Sequence, residues 1–199
     1  MNCELFTTFA DRNRKNMLEL NEVLVEGAEN TVSMMAQERQ VLCLTGGSAH
    51  VRSHLLLAML GLVTVKSGFV NLDGEPLERQ TVKRLRKMMA YAPSELKPEG
   101  QVTVYEPPSV QDLFNLEDNR EAAISNGLLT EEMKRTGAPH EKAQLLAMAV
   151  LRQRPILLVE NPAPESADYL KRLAREGRTI VVTSDEKAIL DMADVIIEI

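Results

Sequence analysis

The sequence predicts an α/β fold: a mainly parallel sheet flanked by helices, with an N-terminal antiparallel β region and a short helical subdomain. Three observations carry this. Val41-Leu42-Cys43-Leu44, Ile156-Leu157-Leu158-Val159 and Thr179-Ile180-Val181-Val182-Thr183 are short apolar runs without alternation, the pattern of strands buried on both faces. Helix-length segments separate them, so right-handed crossovers join parallel strands. Ahead of them, Met17 to Val25 alternates as a strand with one exposed face does.

Composition narrows the classes. At 199 residues with 44% hydrophobic content the chain can bury a full core, as one domain or one domain with a subdomain. A net charge of -6 leaves no footprint for nucleic acid, and with no Trp and 4% aromatics there is no stacking platform for single strands. No run of about 18 apolar residues marks a membrane span, and Met1 to Arg14 lacks a charged-then-apolar leader, so a cytoplasmic chain is expected. Two cysteines make neither a disulfide framework nor a metal cluster, and Cys43 reads as a small core residue.

Taken in order, residues 1–16 form an extension, with Leu5, Phe6 and Phe9 ahead of the charged run Asp11 to Lys15. Glu26 to Asn30 turns the alternating strand into a second one at Thr31 to Met35. Val41 to Leu44 follows, then Gly46-Gly47 and a helix over Ser53 to Leu60 closed by Gly61. Ser67 to Gly74 is a strand bounded by turn residues, Lys83 to Lys87 a solvated basic helix face, and Met88 to Tyr91 another short strand. Prolines make Pro93 to Pro108 a connector. Val110, Leu113, Phe114 and Leu116 suit an amphipathic helix, and Leu145 to Leu151 a strongly apolar one. The remainder alternates: strand Ile156 to Val159, helix Ser166 to Arg175, strand Thr179 to Thr183, helix Glu186 to Met192, strand Val195 to Ile199, with Asp185 as a cap of the last helix.

Strand, glycine turn, helix is the arrangement whose backbone N–H groups converge on a phosphate. Its specific form is G-x-x-x-x-G-K-[ST]; here the register runs Gly46, Gly47, Ser48, Ala49, His50, Val51, Arg52, Ser53, followed by His54. The first glycine and the hydroxyl remain. Val51 stands where the second glycine would be, and a β-branched residue resists φ > 0; Arg52 replaces an ammonium by a planar fork. The alternative is an ordinary βα turn with a surface Arg and with His50 and His54 as solvated loop residues. In an open parallel sheet the ligand crevice lies at the carboxyl ends of the strands. Gly46 to Ser53, Glu160-Asn161 and Ser184-Asp185 all fall there.

With these segments in hand, the chain resembles the nucleotide-binding domain of an ATP-binding cassette (ABC) protein over about residues 17–199. Ser67-Gly68-Phe69-Val70-Asn71-Leu72-Asp73-Gly74-Glu75-Pro76-Leu77 resembles the family's SG-x-V-x-LDG-x-PL strand and turn. Met89 to Pro93 resembles the stretch before its Q-loop, and Val102 to Glu106 its LTV-x-E segment. Ala147 to Pro162 follows its ARALL…P-ILLLDEP run, Gly177 to Asp185 its GRTVIVVTHD, and Ala193 to Ile197 its closing AD-x-VI. The resemblance implies a P-loop NTPase-like fold, with a helical subdomain at about residues 94–140.

It also implies roles. The family's ATP hydrolysis uses a Lys on the phosphates, a hydroxyl and a carboxylate around Mg²⁺, a Glu polarising water, and a Gln and a His near the γ-phosphate. Those positions read Arg52, Ser53, Glu160, Asn161, Ser94 and Ser184. Ser53 is unchanged; Glu160 keeps a carboxylate on a longer stem, so Ser53 and Glu160 are the metal-binding candidates. Asn161 cannot accept a proton, and Ser94 and Ser184 are short. The signature that a partner presents across a dimer falls at Thr136, Gly137 and Ala138, ahead of Pro139-His140, and the adenine-stacking aromatic near Glu26-Gly27 is absent.

ATP or ADP with Mg²⁺ is therefore the implied ligand, held weakly or not at all. The leading expectation is a degenerate, non-hydrolysing subunit paired with an intact ABC ATPase or a second copy, or docked on a separate membrane subunit at the inner membrane face. An unorthodox weak NTPase using Arg52 and Glu160 is one alternative, and a nucleotide-free scaffold or regulator is another. No nucleic-acid partner is expected.

Overall fold

A computed structural model describes residues 16–95 and 126–199. The predicted extension (all but Asn16), the LTV-x-E-like segment, the helix over Val110 to Leu116 and most of the predicted subdomain lie outside them. Nine strands and six α-helices are described: β1 Leu18–Leu24, β2 Val32–Ala36, β3 Val41–Thr45, α1 Ala49–Met59, β4 Ser67–Leu72, β5 Glu75–Pro76, α2 Val82–Arg86, β6 Met89–Ala92, α3 Asn126–Thr136, α4 His140–Val150, β7 Ile156–Glu160, α5 Ala167–Arg175, β8 Thr179–Thr183, α6 Lys187–Met192 and β9 Val195–Glu198.

The strands form two sheets. One is antiparallel in the order β2-β1-β4-β5; the other is parallel in the order β6-β7-β8-β3-β9. Both faces of the parallel sheet are covered at β6, β7, β8 and β3, which is why these strands carry no alternation, whereas the edge strand β9 alternates and exposes Ile196. Leu42 and Leu44 of β3 face α1 and the antiparallel sheet, packing with Leu55, Leu56, Leu18 and Leu20. Val41 and Cys43 face the other way, toward Leu146 of α4 and Leu170 and Leu173 of α5. Burial pushes the Cys43 thiol up to about 11, as expected of a core cysteine.

Side chains tie the layers where helices end. Arg86 donates to Leu60 O at 2.9 Å and Gly61 O at 3.2 Å, satisfying the last carbonyls of α1. The basic run at Lys83 to Lys87 is thus not simply a solvated face: Leu85 is buried and Arg86 is a cap, its pKa lowered by burial. Asp194 accepts from Val41 N at 2.9 Å and pairs with Lys171 at 2.5 Å, joining β9 to β3 and α5. Tyr169 donates its hydroxyl to the buried Glu132, docking α3 on α5.

Two helices begin earlier than their apolar stripes suggest. α1 starts at Ala49 rather than Ser53, and α4 at His140 rather than Leu145. In each case a polar first turn carries too little hydrophobic signal to read as helix.

β1 carries a bulge opposite both neighbours, with Glu22 at φ 48°. Gly68 (φ +77°) sits against it, where an added Cβ would lie 2.3 Å from both Asn21 O and Glu22 O. Gly74 (φ +79°) has open space instead. In urea unfolding, Gly74→Ala is expected to cost about 1–2 kcal/mol for the left-handed backbone. Gly68→Ala should cost a further 1–3 kcal/mol or so for the collision; equal losses would show that the bulge yields freely.

Candidate functional site

The carboxyl edge of the parallel sheet gathers the predicted residues. Thr45 ends β3, and Gly46 and Gly47 turn the chain at φ 75° and 57°, a conformation that glycine adopts without cost. Both pass close to the chain end: a Cβ on either would lie 3.2 Å from Ile199 O. Ser48 is the N-cap of α1, its Oγ accepting from Val51 N at 3.2 Å, and Arg52 N donates to Ser48 O at 3.1 Å. The loop is therefore only Gly46 to Ser48, and Ala49, His50, Val51, Arg52, Ser53 and His54 are helical. This explains Val51: its position is helical, its side chain is buried, and no left-handed backbone is demanded of it.

Arg52 folds back over the turn. Its Nη1 donates to Gly46 O at 2.6 Å and meets Asp185 Oδ2 at 2.9 Å. Asp185 does not cap the following helix. Its other oxygen accepts from Thr45 Oγ1 at 2.8 Å and Gly46 N at 3.0 Å, and these bonds, with Arg52, hold its carboxyl below the usual carboxylate range. The helix start is instead served by Ser184, whose Oγ accepts from Glu186 N at 3.1 Å.

Glu160, the last residue of β7, forms a second cluster. Ser53 Oγ donates to Oε1, while Tyr91 OH at 2.7 Å and Ser94 N at 3.2 Å converge on Oε2. Ser94 thus takes part through its backbone. Tyr91 was missed as a site residue: it reads as one more apolar strand position, and only the parallel register Tyr91↔Leu158, Ala92↔Val159 carries its ring to Glu160. Burial, then the charge of Glu160, pushes the Tyr91 hydroxyl pKa upward. Asn161 is exposed at φ 43°; its N–H donates to Thr183 O at 2.9 Å and its carbonyl accepts from Lys142 Nζ at 2.8 Å.

Of the remaining predicted residues, Thr136, Gly137 and Ala138 lie at the end of α3, and His50 and His54 lie on α1 just after the glycine turn. Thr136 ends α3 fully buried, its Oγ1 accepting from Ala138 N at 3.2 Å, and Gly137 passes so close to Glu165 O that a Cβ would lie 2.9 Å from it. Ala138 borders a small cleft shared with Lys142, Glu160 and Asn161. His50 and His54 pack edge to face with ring centroids 4.0 Å apart on an exposed side of α1; partial burial and then His50 lower the His54 pKa. Among the described residues, no group of three or more His, Cys, Asp or Glu could hold a metal ion.

The turn, the Glu160 strand end and the order of strands agree with a match of residues 30–163 to the family described as ABC transporter. The chain belongs to the ABC transporter family. Its ABC domain is 25% identical over 125 residues to the arabinose import ATP-binding protein AraG of Pectobacterium atrosepticum, covering 62% of this chain and 24% of that one. To the AraG of Escherichia coli O157:H7 it is 21% identical, over 86% of this chain and 34% of that one. The chain thus spans about a quarter to a third of the length of these relatives. Among solved structures, a dimeric ATP-binding cassette in a post-hydrolysis state bound to ADP and Pi superposes with a TM-score of 0.67 at 18% identity, over 92% of this chain and 94% of that one. The fold of this ABC domain is that of the P-loop NTPase cassette, whose family binds ATP or ADP with Mg²⁺.

A carboxyl held below its unfolded value, near 3.8 for Asp185, stabilises the folded chain above that value and loses the contribution as pH falls through the lower folded one. Between about pH 5 and pH 2 the wild-type urea midpoint is expected to fall more than that of Asp185→Asn. Parallel curves would show that the Gly46 and Thr45 bonds do not couple to folding.

Proposed function

We propose that this ABC domain is a non-hydrolysing ATP-binding subunit, a pseudo-ATPase that acts by binding nucleotide, a partner, or both. The observation that carries it is the state of Glu160. Both of its oxygens are engaged by Ser53, Tyr91 and Ser94, and the adjoining Asn161 offers an amide that cannot take a proton from water. Ser184, at the position of the family's His, is a short hydroxyl already bonded to Glu186 N.

Ser53 and Glu160 are oxygen donors of the class that Mg²⁺ prefers, but they bond directly to each other rather than framing a space. Arg52 likewise faces its own loop carbonyls, and Val51 N and Arg52 N are engaged at Ser48. As folded, these donors are paired internally and a metal-nucleotide would have to displace those bonds, so no catalytic step is assigned through one. Removing a single preorganised donor from such a site typically lowers the rate by about 10²–10³. Several are replaced here.

The partners consistent with this reading are an intact ABC ATPase subunit, a second copy of this chain, or a separate membrane subunit at the inner face, with the domain itself cytoplasmic. No helix among the described residues is long and apolar enough to cross a membrane. We assign residues 17–199 to the ABC domain, residues 1–16 to an extension and about 94–140 to its helical subdomain. Arabinose import is a property named for the relatives and is not carried over.

Purified protein is expected to release inorganic phosphate from Mg-ATP no faster than blank. A thermal-shift titration with Mg-ATP and Mg-ADP then separates the modes of action, because a ligand bound only by the folded state raises apparent stability. Sustained phosphate release above blank would overturn the proposal and favour a weak NTPase in which Arg52 and Glu160 substitute for the usual groups.

A further inference from the structure

Asp185 occupies an unusual place for a carboxylate. One of its oxygens takes a backbone N–H at the glycine turn, Gly46 N at 3.0 Å, and a hydroxyl, Thr45 Oγ1 at 2.8 Å; the other pairs with the Arg52 guanidinium at 2.9 Å. N–H, hydroxyl and guanidinium are the three kinds of donor that a phosphate recruits at a strand-to-helix turn. Arg52 completes the closure by donating inward to Gly46 O at 2.6 Å.

The carboxylate is carried there by the sheet, not by a chance rotamer. Leu44 pairs with Thr183 in the parallel ladder, and Ser184 N donates to Leu44 O at 3.1 Å, so Asp185 emerges beside Gly46. Its side chain is nonetheless 58% exposed against 15% for Arg52. An ion pair open to water on one side contributes little net stability, so it can part without unfolding anything around it.

We propose that Asp185 is a built-in competitor for phosphate: its carboxylate holds the anion position at the Gly46 end of the turn, and the Arg52–Asp185 pair must open before a diphosphate-bearing ligand enters. This rests on reading the turn as a nucleotide-handling site, and it adds a gate to that reading. When the binding-competent state is only fractionally populated, apparent affinity falls by that fraction. The latch therefore weakens diphosphate binding without removing the donors that would make it.

The test is isothermal titration of the full chain with pyrophosphate and, in parallel, ADP. Asp185→Ala is expected to tighten both by about tenfold or more over wild type. Asp185→Asn, which keeps the acceptor shape but drops the charge, should fall between. Adding Arg52→Ala to Asp185→Ala should erase the gain. Equal affinities for wild type and Asp185→Ala, or a gain with ADP alone, would overturn the proposal. A second measurement needs no variant: in wild-type protein labelled for NMR, concentrated pyrophosphate should shift the Gly46 amide and the Asp185 carboxyl carbon together. A Gly46 shift with Asp185 unmoved, or no shift of either, would equally overturn it. The two claims fail separately: phosphate release by the wild type would remove the non-hydrolysing reading, whereas equal affinities would remove only the latch.

Discussion

The parallel pairing of β3 between β8 and β9 governs the carboxyl edge of the sheet. Leu44 opposite Thr183 sets Gly46 beside Asp185, and Glu160 opposite Thr183 in the neighbouring ladder sets the end of β7 within reach of α1. A slip of one residue would turn every β3 side chain to the opposite face, exchanging Leu42 and Leu44 for Val41 and Cys43. With both faces packed, such a slip would mismatch two cores at once. Two-sided burial therefore holds the register, and the register holds the site.

On that frame the polar groups of the edge satisfy one another. Glu160 collects a serine hydroxyl, a tyrosine hydroxyl and a backbone N–H; Asp185 collects a hydroxyl, a backbone N–H and a guanidinium. Glu160 is partly buried, and a carboxylate so placed without donors would be penalised, so its pairing stabilises the end of β7, whereas Asp185 stands in water on one side. The same logic appears away from the edge, where Tyr169 and Arg135 converge on the buried Glu132. A site whose charges are all answered from within has less to gain from a metal or a phosphate than one holding them open.

Much of the fold was legible from the residues. Non-alternating apolar runs identified the buried parallel strands at Val41, Ile156 and Thr179, and alternation from Met17 together with the turn at Glu26 to Asn30 identified the β1–β2 hairpin. Gly46, Arg52 and Ser53 stand out because they fall in a strand-turn-helix register, and Glu160 because it ends a buried strand at a position to which the ABC resemblance gives a role. Tyr91 escaped because nothing in Met-Ala-Tyr-Ala distinguishes a core aromatic from one whose hydroxyl reaches a carboxylate. The first turns of α1 and α4 escaped because Ala49-His50 and His140-Glu141 carry no apolar periodicity, and Asp185 was misread because capping is a local property whereas its partners lie about 140 residues away in the chain.

The sequence by itself determined the α/β class and the succession of strands and helices along the chain, since both depend on hydrophobic periodicity and turn residues, and its motifs carried the resemblance to the ABC family. Only the tertiary structure decided which donors each charged group meets. Arg52 could have pointed outward to a ligand, and Asp185 could have capped α6; their convergence on Gly46 is a consequence of two distant strands lying side by side. Side-chain chemistry is written residue by residue, but the partner of a charge is chosen by sheet register and burial, which come into being only when the chain folds.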